Sequence, residues 1–305
     1  MPDIASPFFA RSRELSRSLF CRSTALTLPI AVMTLLLLPV TAYAEASTQR
    51  VTSTDAAITE IVVALGALDR LVAVDDTSDL PPEGAILPRL GYHRALSAEG
   101  LLAQRADLVL ASEHAGPERA LAPLAAASVA LVRLPVAHSV DGLKANIRVI
   151  SEALDLQEAG RQLLAQIDQQ AAVISRHSSL SARRAVLLRE SNGELRVAGE
   201  GSAGNALLQL LGANNAVDYN GYRTFTAEGL LALNPEVLLI ADETLPAAAQ
   251  WLSGYPLLRY SQAARDQAVV SVDSRALVGG LSLKALSEAE RILRATTAPQ
   301  QVSHP

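Results

Sequence analysis

The chain has 305 residues, with 26 basic against 31 acidic side chains, half of all residues apolar, 15 Pro, 17 Gly and a single Cys. That composition excludes a disulfide scaffold, a disordered charged tail and a strongly cationic nucleic-acid binder. The mean hydropathy of +0.22 is raised by one N-terminal segment.

Arg11, Arg13, Arg17 and Arg22 precede an uncharged run over residues 25–40 that contains Leu35-Leu36-Leu37-Leu38, and Ala42-Tyr43-Ala44 follows. Basic, then apolar, then small-x-small is the order of a secretory signal peptide, and cleavage is expected after Ala44. The run is short for a membrane anchor and is bracketed by Pro29 and Pro39. Cys21 lies before the run, the wrong side for an acylated lipoprotein cysteine. Without residues 1–44 the chain keeps 22 basic and 29 acidic side chains, a net charge of −7, and no thiol. An exported chain of 261 residues without disulfides rests on its hydrophobic cores alone.

Past the leader, Ile61-Val62-Val63-Ala64-Leu65-Gly66-Ala67 closes an amphipathic helix on a glycine. Next comes Gly91-Tyr92-His93-Arg94-Ala95-Leu96-Ser97-Ala98-Glu99-Gly100-Leu101-Leu102-Ala103, a loop entering a short helix that Ser97 can cap. Asp107 and the apolar strand Leu108-Val109-Leu110-Ala111 follow. Residues 140–178 contain no Pro, and two stripes at helical spacing run through them: Leu143, Ile147, Ile150 and Leu154, then Leu163, Leu164, Ile167, Ala171 and Ile174. They predict a stiff helical bridge. Gly199-Glu200-Gly201-Ser202-Ala203-Gly204 is read as the loop before a helix beginning near Asn205, and Leu207-Leu208-Gln209-Leu210-Leu211-Gly212-Ala213 echoes the helix end at Gly66.

The first loop and helix then recur as Gly221-Tyr222-Arg223-Thr224-Phe225-Thr226-Ala227-Glu228-Gly229-Leu230-Leu231-Ala232. Six consecutive residues, Ala-Glu-Gly-Leu-Leu-Ala, are identical in the two copies. Glu236 and the strand Val237-Leu238-Leu239-Ile240-Ala241 complete the second copy. The repeat predicts an α/β protein of two Rossmann-like lobes, each around a mostly parallel sheet: a leader over 1–44, a first lobe over 45–138, bridging helices over 139–181, a second lobe over 182–296 and a tail over 297–305. Two lobes on a stiff bridge enclose a cleft with little hinge freedom.

Catalytic constellations are sparse. There is no Gly-x-Ser-x-Gly elbow, phosphate loop or His-Glu-x-x-His, and the five His, at 93, 114, 138, 177 and 304, are scattered. An exported enzyme therefore has almost no motif support. The informative segment is Gly91-Tyr92-His93-Arg94, in the loop expected to face the other lobe. Arg94 two residues beyond Tyr92 can lie on the same side and favour phenolate, a hard anionic ligand suited to ferric iron and known on haem iron. In an extended loop His93 would point away from Tyr92.

On these residues the chain resembles the periplasmic haem-binding proteins of bacterial haem-uptake ABC transporters, within the wider group of two-lobed siderophore and cobalamin binders. The match covers about residues 50–295, and its most specific part is Leu90-Gly91-Tyr92-His93-Arg94-Ala95-Leu96-Ser97-Ala98-Glu99-Gly100. The resemblance implies that Tyr92 is the axial ligand of the iron of haem b, carried as transported ligand rather than used in catalysis. It implies that Arg94 hydrogen-bonds that phenolate, and that Glu99 and Glu228 pair with Arg residues on the two subunits of the permease dimer. His93, next to Tyr92, is a further candidate to touch the ligand; Tyr222 and Arg223, by the repeat, are candidates to stack on the porphyrin or pair with a propionate, or else form a surface loop. One departure is that the family usually carries Gly-Pro-Arg near the C-terminus, where this chain has Gly279-Gly280-Leu281-Ser282. The reading is of a monomeric periplasmic carrier that binds no nucleic acid, with a binder of another large chelate, a siderophore or cobalamin, as the alternative.

Overall fold

The structure, a computed structural model, describes residues 49–297; the expected leader, its cleavage site, Cys21 and His304 lie outside the described residues. Among the described residues no helix is long and apolar enough to cross a membrane.

The first lobe is a four-stranded parallel sheet in the order β2-β1-β3-β4, from β1 (Val51–Ser53), β2 (Leu71–Val74), β3 (Leu108–Ser112) and β4 (Ala130–Leu134). Its central strands β1 and β3 are wholly buried, as a sheet covered on both faces requires. Helices α1 (Ala56–Ala64), α2 (Ala98–Ala103), α3 (Glu118–Leu121) and α4 (Pro123–Ala126) cover it. Asp55 caps α1 by accepting the Ala57 N–H, and Gly66 ends it at φ +78°.

The bridge consists of α5 (Val140–Ala153) and α6 (Gln157–His177), broken where Asp155 turns to φ +54°. Both sequence stripes face inward: Leu143, Ile147, Ile150, Leu154, Leu163, Ile167 and Ile174 are buried in one core with side chains of both lobes.

The second lobe has the expected mostly parallel sheet, with one reversed strand. Its order is β10-β9-β5-β6-β8, from β5 (Arg184–Ser191), β6 (Glu194–Ala198), β8 (Tyr222–Phe225), β9 (Val237–Ala241) and β10 (Val269–Val272), with the short β7 (Asn214–Asn215) also on β5. Strands β10, β9, β5 and β7 pair in parallel, whereas β6 runs against both of its neighbours, β5 and β8. The cause is local: Asn192 and Gly193, at φ +54° and +78°, make a two-residue hairpin turn between β5 and β6. That Asn-Gly signal was legible in the sequence. Helices α7 (Ala203–Leu210), α8 (Ala227–Leu233), α9 (Ala248–Gly254), α10 (Gln262–Arg265) and α11 (Leu283–Thr297) complete the lobe. Helix α7 starts two residues before the expected Asn205 because Ser202 caps it through the Asn205 N–H.

The repeat is structural as well as sequential. Ser97 accepts the Gly100 N–H at 3.0 Å to cap α2, and Thr226 accepts the Gly229 N–H at 3.1 Å to cap α8. Asp107 takes the backbone N–H of Arg50 at the start of β1, as Glu236 takes that of Arg184 at the start of β5, each at 2.8 Å. Both arginines then return to the end of the preceding helix, Arg50 donating to the Gln104 carbonyl and Arg184 to that of Leu233.

Candidate functional site

Between the lobes lies a cleft of about 540 Å³, within the range usual for small-molecule sites. The first lobe contributes Asp55, Tyr92, His93, Arg94, His114 and His138; the second contributes Arg189, Ser202, Tyr222 and the segment 277–280.

Tyr92, the expected iron ligand, is 48% exposed, so its phenol is presented to the cleft rather than packed. The following residues are not extended: His93–Ala95 form a 3-10 turn, which rotates His93 inward until it is buried. Its ring centre is 4.3 Å from that of Tyr92, and its Nδ1 is 3.4 Å from Asp75 Oδ2, a long contact. Arg94 is exposed and lines the cleft with Tyr92.

Beneath this turn is a buried acidic pair. Burial opposes ionisation of Asp75, yet hydrogen bonds from His93, Ser78 and Thr77 hold its carboxyl below the ordinary value. Burial first, and the Asp75 charge second, push the Asp55 carboxyl up. Among the described residues Asp55 is the only carboxylate side chain lining the cleft, against Arg94 and Arg189, so the cleft of an acidic protein is itself cationic.

In the second lobe, Tyr222 and Arg223 are on strand β8, not in a loop, and successive strand residues face opposite ways. Tyr222 therefore lines the cleft, whereas Arg223 lies 4.4 Å over the Tyr219 ring and is not among the cleft-lining residues. Burial pushes the Tyr222 phenol up, offset in part by Arg189. A phenol held neutral suits ring contact better than metal ligation.

Several cleft residues were not foreseen. Arg189 on β5 stands 4.8 Å over the Tyr222 ring. His114 and His138 come in from the loops after β3 and β4, and Val136, Ala203, Ala241, Leu277 and Val278 supply the apolar wall. They belong to no single motif, since β5, the segments after β3, β4 and β10, the start of α7 and the end of β9 each bring in a part. Gly279 and Gly280, at φ +81° and +98°, cross beneath Asp55 and Ala137 so closely that a Cβ on either would come within 2.5 Å of an oxygen there. The following Leu281 is 1% exposed, so no side chain from that position reaches the cleft.

Glu99 and Glu228 occupy the same first-turn place on α2 and α8, and both are exposed. At Glu228 its own backbone N–H first, and Thr226 second, hold the carboxyl below its ordinary value.

Two α/β lobes on a helical bridge around a polar, cationic cleft define a two-lobed ligand-binding protein. A family model described as periplasmic binding protein matches residues 51–276, and the chain belongs to that family. It is similar to the crystal structure of the periplasmic heme binding protein HutB of Vibrio cholerae, at 30% identity and TM-score 0.76, covering 82% of this chain and 100% of that one. A periplasmic heme binding protein from Pseudomonas aeruginosa is similar at 31% identity and TM-score 0.72, covering 81% and 92%. The heme-binding protein BhuT in complex with two hemes gives 33% identity and TM-score 0.71, covering 81% and 98%. Among curated proteins, a vitamin B12-binding protein of Pectobacterium carotovorum is 28% identical over 248 residues, 81% of this chain and 76% of that protein.

Proposed function

We propose that this protein captures ferric haem in its interlobe cleft and delivers it to an ABC permease, binding without catalysis. The observation that carries the reading is Tyr92: a half-exposed phenol on the cleft wall, beside the cationic Arg94 and a buried histidine. Phenolate is a hard ligand that prefers ferric iron, and a neighbouring guanidinium can donate a hydrogen bond to it. In this reading Tyr92 ligates the iron of haem b, Arg94 stabilises the phenolate, and His93, buttressed by Asp75, fixes the turn that presents Tyr92. Tyr222 contacts the porphyrin face. The names of three similar structures at 30–33% identity support haem.

The same reading makes residues 1–44 a cleaved leader, 45–138 and 182–296 the two lobes, 139–181 the bridge between them, and the exported protein a periplasmic monomer. Glu99 and Glu228 dock it across the two-fold axis of the permease. A second reading, capture of a cobalamin-type chelate, is favoured by the names of the curated relatives and requires Tyr92 to be only a contact residue.

Titration with haemin separates the two. Wild-type protein is expected to give a high-spin ferric spectrum with a tyrosinate-to-iron charge-transfer band, and Tyr92→Phe is expected to lose that band and bind haem at least about tenfold more weakly. An unchanged spectrum in Tyr92→Phe would refute Tyr92 as ligand, and absence of any haem spectrum would refute the haem reading itself.

A further inference from the structure

Arg189 is the cation on the second wall of the cleft. It sits near the end of β5, exposed, with its guanidinium 4.8 Å over the Tyr222 ring, and both side chains line the cleft. Its neighbour Glu190 faces the other way and accepts a hydrogen bond from Tyr255 at 2.6 Å. Other arginines are paired with acids, Arg133 with Glu118, Arg275 with Asp273 and Arg291 with Glu288. Among the described residues no carboxylate pairs with Arg189.

A guanidinium lying on an aromatic face keeps its N–H edge free, and the stack restricts its rotamers before a ligand arrives. The wall offers few alternatives, since Arg223 is turned onto Tyr219. Asp55, the acid facing the same cleft, is almost fully buried and engaged as a helix cap.

We propose that Arg189, held over the Tyr222 ring, grips a carboxylate of the bound ligand through its guanidinium fork and so makes the cleft prefer a tetrapyrrole with free carboxylates over one whose carboxyls are esters or amides. The proposal rests on the haem reading above and adds its specificity determinant. A carboxylate offers two anionic acceptors that match the fork; a primary amide offers one neutral acceptor and an NH₂ whose hydrogens oppose those of arginine. An unmatched guanidinium would also lose water without a replacement partner.

The test compares three probes, ferric haem, ferric haem dimethyl ester and cyanocobalamin, against wild type, Arg189→Gln and Arg189→Lys. The ester keeps iron and ring and removes only the free carboxylates. Wild type is expected to prefer haem over the ester by about ten- to a hundredfold. Arg189→Gln is expected to remove at least half of that preference on a logarithmic scale, haem affinity falling more than ester affinity, with the tyrosinate-to-iron band kept. Arg189→Lys, which keeps the charge without the fork, is expected to fall between. A Gln variant that keeps the full preference, or loses affinity for acid and ester equally, overturns the proposal. Binding of cyanocobalamin with no binding of either haem form by wild type overturns the haem reading and the proposal with it.

Discussion

Tyr92 and Tyr222 hold equivalent places in the repeat but differ in what surrounds the phenol. Tyr92 follows Gly91 at φ +83° into the cleft and is 48% exposed, whereas Tyr222 is half-buried on a strand beneath Arg189. The two aspartates under Tyr92 differ as sharply. Asp75 is ionised more easily than an ordinary aspartate, so its stabilising contribution is present above the ordinary pKa and is lost as pH falls through the lowered one. Asp55 is the opposite case: its raised pKa makes the native state hold the proton longer, so folding weakens as pH rises from the ordinary value to the raised one. The groups facing Asp55 include Asp75, His93, Glu60, Ser112 and the Ala57 N–H. Asp55→Asn keeps a capping oxygen for α1 and removes the buried charge. It is expected to be more stable than wild type near about pH 8 in urea unfolding, by a margin that shrinks towards about pH 4. A margin of opposite sign, or one independent of pH, would contradict this account.

At the scale of elements, the second lobe owes its mixed sheet to one turn. Gly193 has no atom within 4 Å of an added Cβ, so nothing but its φ of +78° demands glycine there. Gly193→Ala is therefore expected to cost about 1 kcal/mol, the price of a left-handed backbone at a residue with a Cβ. It should lower the urea midpoint with an unchanged m value; an unchanged midpoint would show that the turn carries no such constraint. The repeat itself was legible because a cap, a charge and two leucines recur at fixed spacing. What the repeat concealed is that Tyr222 and Arg223 join β8, where alternation sends Arg223 to Tyr219. The loop at Tyr92 has no strand to join and folds as a 3-10 turn instead.

Over the whole molecule, one apolar core runs through both lobes and the bridge, including Ile61 of α1, Ile147 of α5, Ile167 of α6, Leu207 of α7 and Leu286 of α11. Polar ties reinforce it across the lobes. The Lys284 backbone N–H at the start of α11 donates to Glu60 of α1 at 2.9 Å, and its ammonium reaches Asp79 at 2.5 Å. The other lysine of the chain, Lys144, joins α5 to α6 through Asp168. A molecule tied in this way presents Glu99 and Glu228 as two fixed points. Replacing both with Ala is expected to abolish haem uptake in cells while leaving haem affinity within about twofold, since both are exposed and outside the cleft lining. A large loss of affinity would instead make them part of the binding site.

The sequence by itself determined the two lobes, the helical bridge and the Tyr92 segment, because helical periodicity, capping residues and an internal repeat are local signals. The antiparallel hairpin was equally local at Asn192 and Gly193, though a repeat of parallel units suggested otherwise. Only the tertiary structure decided the membership of the cleft. Arg189, His114, His138 and Val278 come from strand ends and loops far apart in the chain. Which way each side chain faces depends on strand alternation and on the close crossing at Gly279 and Gly280, neither of which a local motif encodes.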